Sequence, residues 1–202
     1  SYTSSVQKKL NENPERRRTE LLEVLNSITV AKRLYRDRAA DFVLSHPETF
    51  PDLISILFET EDPIHIRAAW TAELVFLRNP ALLIPQLDIF IAHIQNIKND
   101  SALRPVAKVC QRITQMHYSK RGNAAILTEP QKDSLIEACF DWLLRDEKTA
   151  TEVYAMSALA MFSNERNWIR EDLTEILKKD FFSKSPGYQS HARMLLKQLS
   201  KK

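Results

Sequence analysis

Residues 61–75 read EDPIHIRAAWTAELV. Asp62 followed by Pro63 marks a helix start, because an acidic side chain accepts from the free N–H groups of the first turn and proline has no N–H to waste there. Downstream, Ala68, Ala72 and Val75 recur at i, i+4 and i+7, the spacing of one helical face. Two of the three are small, so a neighbouring helix can come close. Ile66, Ala69, Leu74 and Phe76 cover the other sides, and a helix apolar all round is a buried one. Trp70 therefore reads as core.

The same register returns three times. Pro105, Val109 and Arg112–Ile113 repeat it, as do Ala155, Leu159 and Phe162, and then Ala192, Leu196 and Leu199. The start-to-start spacings are 37, 50 and 37 residues. A period near 40 is the length of a helix pair. The long middle interval contains Ser119 to Leu127, with Lys120, Arg121, Gly122 and Asn123, which is expected to be the one long loop.

Apolar stripes and breakers extend this reading along the chain. Helices are expected at about 14–27, 31–45, 48–60, 63–78, 80–97, 101–119, 129–145, 148–163, 167–181 and 186–200. Asn79 and Ser185 precede prolines as caps, and Thr128 with Gln131 makes a capping box. Only two glycines occur, where ordinary usage of roughly 7% would give about fourteen. Tight hairpins and phosphate-cradling loops need glycine, so an all-α chain is expected.

The stretches EDPIHIRAAWTAELV and NDSALRPVAKVCQRI resemble the second helices of HEAT and armadillo repeats. The resemblance implies a right-handed α-α superhelix of about four to five helix pairs, in one domain over 1–202. Residues 1–46 would be capping helices and 47–202 four repeats, with the longer loop at 119–128. It also implies acid–arginine ladders between adjacent repeats, built from the acids Asp62 and Asp100 and the arginines Arg67 and Arg104. Tyr154 and His191 stand at the arginine position of the later copies. AAWTAEL, ALRPVAKVC, CFDWLL and SPGYQSHARMLLKQL resemble a group of small bacterial helical proteins labelled adenylosuccinate lyase. The lyase signature loop, of the S-S-x-M-P-x-K-x-N type, has no counterpart in this chain.

Charge is uneven. Residues 1–46 are net +3, 47–165 net −5 and 166–202 net +5, for +3 overall. Arg16, Arg17, Arg18, Lys32, Arg33, Arg36 and Arg38 make the first helix pair strongly charged, as a polar cap requires. Cys110 and Cys139 sit inside apolar patterns and read as buried thiols of a cytoplasmic protein. Pro85, Asp88 and His93 interrupt the most apolar stretch, 81–97, so no membrane span is expected.

Recognisable catalytic patterns are lacking. The five histidines never fall at i, i+3 or i, i+4, and no HExxH, GxSxG or phosphate loop occurs. Neither metal nor cofactor is expected. Glu137, Asp141 and Arg145 at i, i+4, i+8 read as an exposed face with an Asp–Arg pair. Trp142 beside Asp141, with basic residues nearby, resembles the HEAT-like alkylpurine DNA glycosylases.

Geometry suggests a binding surface. In a helical-pair array the second helices line the concave face. Arg67, Thr71 and Arg78 would project from one, and Arg104, Lys108 and Arg112 would form a basic row on the next. The expected function is a non-catalytic module binding an unknown protein or acidic peptide. Nucleic-acid binding, with or without base excision, is the alternative.

Overall fold

The computed structural model describes residues 13–30, 32–119 and 125–201. Lys120 to Asn123, the centre of the expected long loop, lie outside the described residues. Among the described residues there are ten α-helices and no strand. The chain is all-α. No single described helix is long and apolar enough to cross a membrane.

The helices are α1 (Pro14–Asn26), α2 (Arg33–Ser45), α3 (Phe50–Leu57), α4 (Ile64–Arg78), α5 (Leu87–His93), α6 (Asp100–Tyr118), α7 (Glu129–Leu144), α8 (Thr149–Phe162), α9 (Asn167–Lys179) and α10 (Pro186–Leu199). The capping box forms at Thr128 and Gln131, and Ser185 Oγ accepts from Tyr188 N. Asp62 Oδ1 accepts from Ile64 N at 3.0 Å. One expectation needs correction. The continuous helix expected over 80–97 is broken into 3-10 turns at Pro80–Leu82, Ile84–Gln86 and Ile94–Asn96 around the short α5. Pro85 is the reason: it brings no N–H and disfavours helical geometry at Ile84 before it.

Two compact units divide the chain, residues 1–105 and 106–202. In the first, α4 is the hub and packs on α1, α2 and α3. Its Ala68, Ala69, Val75 and Phe76 are buried together with Thr71 and Glu73, whereas Ile66, Arg67 and Trp70 are half-buried and Leu77 and Arg78 exposed, so one side stays open and Trp70 is not the core residue expected. In the second unit α8 is the hub and packs on α7, α9 and α10. Ala155, Met156, Ala158, Leu159 and Phe162 are buried along it. Small residues bring the outer helices close, and each large apolar side chain that they cover contributes about 1.5–3 kcal/mol. Hydroxyls inside the helices satisfy themselves, Thr71 Oγ1 donating to Arg67 O at 2.9 Å and Thr114 Oγ1 to Cys110 O at 2.8 Å.

Candidate functional site

An arginine cluster lies at the α2–α4 contact of the first unit. Ala39 and Ala40 are fully buried against the hub. Arg36, one turn earlier, therefore lies at the edge of the contact. Its guanidinium carbon stands 4.0 Å from the centroid of the Trp70 ring, a cation–π stack. Its Nε is buried and has no hydrogen-bond partner. Burial, and then the like charge of Arg104, hold the guanidinium below its ordinary range, with Glu73 opposing. Arginine stays charged regardless, so the burial is a standing cost that an anion would offset.

Trp70 is itself fixed. Its Nε1 donates to Ser101 O at 3.0 Å. Arg104 is one turn further along α6, is exposed, and has no carboxylate within ion-pair distance among the described residues. Other arginines of this unit end on carboxylates: Arg16 on Glu20, Arg17 on Asp52, Arg18 on Glu59 and Arg33 on Asp37. Arg67 lines a cavity of about 370 Å³ with Asn26, Asp62, Ile66 and Trp70. Its Nη1 lies 3.4 Å from both Asn26 O and Asn26 Oδ1, and among the described residues it makes no ion pair of the kind a ladder between repeats would need.

The remaining expected site residues fall differently. Thr71 is fully buried, on a side of α4 that the other helices of the unit cover. Arg78 is held by Asp37 and Asp41 of α2, both at 2.6 Å. Lys108 and Arg112 continue along α6 in the second unit. Arg112 is exposed and its Nη1 donates to Gln115 Oε1 at 3.3 Å. Lys108 is half-buried. Sequence reasoning therefore named Arg67 and Arg104 as site residues but read Trp70 as core and did not include Arg36, whose only signal was its register one turn before Ala39–Ala40.

A second, neutral cleft lies wholly in the second unit. It has a volume of about 300 Å³, and Gln111 and Gln115 of α6, Ser157 and Met161 of α8, and His191 and Met194 of α10 line it. Gln111 Oε1 is buried without a partner. Ser157 Oγ donates to Val153 O at 2.8 Å and lies 2.8 Å from His191 Nε2. The imidazole is the donor in the second bond when the hydroxyl hydrogen points to Val153, and the acceptor when that hydrogen turns to Nε2. Burial holds the His191 imidazole below its ordinary range.

No protein-family model, curated protein or solved structure matches this chain.

Other titratable groups are structural. Cys110 and Cys139 are free and buried, and burial raises both thiols, Cys139 to about 12. Lys132, almost fully buried, bridges Glu129 and Glu165 at 2.8 Å each, and Tyr118 Oη donates to Glu165 at 2.7 Å. Among the described residues no cluster of His, Cys, Asp and Glu has metal-site geometry.

Proposed function

We propose that the chain is a non-catalytic helical-repeat module that binds an acidic peptide segment of a partner protein on the Arg36–Trp70–Arg104 face. A right-handed superhelix of HEAT-like pairs is part of this reading. It is supported by the packing of α3 on α4, α7 on α8 and α9 on α10, in sequence order inside each unit. It is supported too by α6, α8 and α10 sharing one cleft.

The observation that carries the binding reading is the partly buried guanidinium of Arg36, whose burial Glu73 offsets only in part. Its Nε is buried without an acceptor, Arg104 is the like charge that acts on it most strongly, and the guanidinium stacks on the Trp70 ring. A carboxylate of the ligand would accept from Arg36 and Arg104 together, in the charge-assisted geometry that guanidinium favours. A peptide suits the surface better than a phosphate backbone. Arg16, Arg17, Arg18, Arg33 and Arg78 are already engaged by carboxylates, which interrupts any basic track that a polyanion could follow along the described residues of this unit.

Fluorescence anisotropy with a labelled Glu-rich peptide, duplex DNA and single-stranded DNA at low salt tests this. Peptide binding is expected, weakened about tenfold or more by Arg36→Gln with Arg104→Gln. Unchanged affinity in that double variant sinks the reading. Tighter binding of DNA, with a steep salt slope, transfers the face to nucleic acid.

A further inference from the structure

The α7–α9 face of the second unit carries an unpartnered aromatic ridge. Phe140 of α7 and Trp168 of α9 stack with ring centroids 5.8 Å apart and planes 24° apart. Trp168 is half-exposed, and Leu144, one turn beyond Phe140, is 69% exposed. Trp142, by contrast, is fully buried. A hollow lies on each side of Phe140. One, of about 350 Å³, is lined by Ile136, Glu137, Asp141 and Trp168. The other, of about 380 Å³, is lined by Leu144, Asp172, Glu175, Ile176 and Asp180.

The rim of this ridge is acidic, in a chain of net charge +3. Glu137, Asp141, Asp172, Glu175 and Asp180 make no ion pair among the described residues. The Asp141–Arg145 pair expected from helical spacing does not form, since Arg145 lies against Glu147 at 3.6 Å. Arg166 is taken up by Asp133 and Glu129. Lys179 is the remaining cation lining the two hollows. An apolar, aromatic centre inside a rim of one charge is the anatomy of a protein interface.

We propose that this face docks a basic amphipathic helix of a partner protein. Its apolar side chain enters the hollow between Phe140, Leu144 and Ile176. A lysine or arginine spaced i+3 or i+4 from it, about 5–6 Å away on the same helix face, reaches the neighbouring hollow. There it meets the exposed Trp168 ring together with the Glu137 and Asp141 carboxylates, combining cation–π and ionic attraction. Asp172, Glu175 and Asp180 pair with cations on the other flank. Nucleic acid and anionic lipid are both repelled by this rim. The site is separate from the arginine cluster of the first unit, so each stands or falls alone.

The test uses a labelled amphipathic peptide of leucine and lysine, and a second of the same pattern with glutamate for lysine. The lysine peptide is expected to bind the full chain, and the glutamate peptide not to. Glu137→Lys with Asp172→Lys should weaken binding about tenfold or more, as should Trp168→Ala. Glu23→Lys with Glu61→Lys makes the same change in net charge at exposed positions of the first unit, and should leave affinity within about twofold. Circular dichroism melts confirm that the variants fold, with Phe140→Leu as a second ridge variant. Equal loss in the two charge-reversed pairs, indifference to Trp168→Ala, or binding of the glutamate peptide overturns the proposal. So does a dimer in sedimentation that Trp168→Ala abolishes, which would assign the face to a second copy of the chain.

Discussion

Trp70 and Ser101 are joined by a hydrogen bond from the indole Nε1 to the carbonyl oxygen, 3.0 Å long. Pro105 explains why that carbonyl is available. Inside α6, the amide four residues on from Ser101 would normally occupy it, but proline has none. The defect in one helix becomes the anchor for the tryptophan of another. The same bond orients the ring on which Arg36 stacks.

Coupling between these two features can be measured by a double-mutant cycle. Trp70→Phe removes the donor and leaves the Ser101 carbonyl wanting, a loss of about 1 kcal/mol beyond the change in apolar area. Pro105→Ala restores an amide that fills the same acceptor. In that background, Trp70→Phe should therefore lose less, with a coupling energy of about 0.5–1.5 kcal/mol by denaturant unfolding. Strict additivity would show that the bond contributes nothing.

Arg36 and Arg104 predict opposite effects on stability and binding. Arg104→Glu replaces a like charge near Arg36 with an opposite one. Unfolding should become harder by about 0.5–1 kcal/mol, while affinity for an acidic peptide disappears. A destabilised variant would mean that Arg104 is already satisfied in the fold.

A buried ion pair secures the second unit. Lys184 Nζ bonds both oxygens of Glu152, at 3.2 and 2.9 Å, and Glu152 is only 2% exposed on the hub helix α8. Burial raises the carboxyl of Glu152, and Lys184 opposes the shift. Lys184→Met strands that carboxylate and should lower stability by about 3–5 kcal/mol. Glu152→Gln combined with Lys184→Met should recover a large part of the loss. Equal losses in the single and double variants would refute the account.

His117 makes the fold acid-sensitive. Its Nδ1 accepts from Ile126 N at 3.2 Å and Leu127 N at 3.0 Å, which only an unprotonated nitrogen can do. Burial, then Lys132, lower its pKa, while Glu165 and Glu129 pull the other way. A histidine lowered in the folded state gives its full stability above its ordinary value of about 6.5, and that stability is lost as pH falls through the lowered value. His191, lowered by burial, adds in the same direction. Melting temperature should be flat above neutral pH and fall below about 6.5, less steeply in His117→Gln. An unchanged slope in that variant would remove His117 from the explanation.

Much of the fold was legible in short-range pattern. Prolines, caps and the 3.6-residue period located nine of the ten helices closely, because these signals act within one turn. The miss at 80–97 was also local: Pro85 outweighed the apolar stripe. The apolar residues on almost every side of 64–76 predicted a buried helix, and α4 is the hub of its unit, but Trp70, expected in the core, is only half-buried.

Partner choice among side chains was not legible. Thr71 and Arg67 look alike on a helical wheel, yet one is sealed in the core while the other lines a cavity. Arg78 reads as a free cation until Asp37 and Asp41 arrive from a helix some forty residues earlier. Arg36 carried only its register before Ala39–Ala40, and its stacking on Trp70 is a property of α2 docking on α4. The Phe140–Trp168 ridge likewise needs two helices to form. Sequence alone determined which segments are helical and which faces are apolar, since backbone hydrogen bonding and periodicity are local. Tertiary packing decided which charges find partners and which are left for a ligand, because ion pairs and stacks form between residues that only the folded chain brings within a few ångströms.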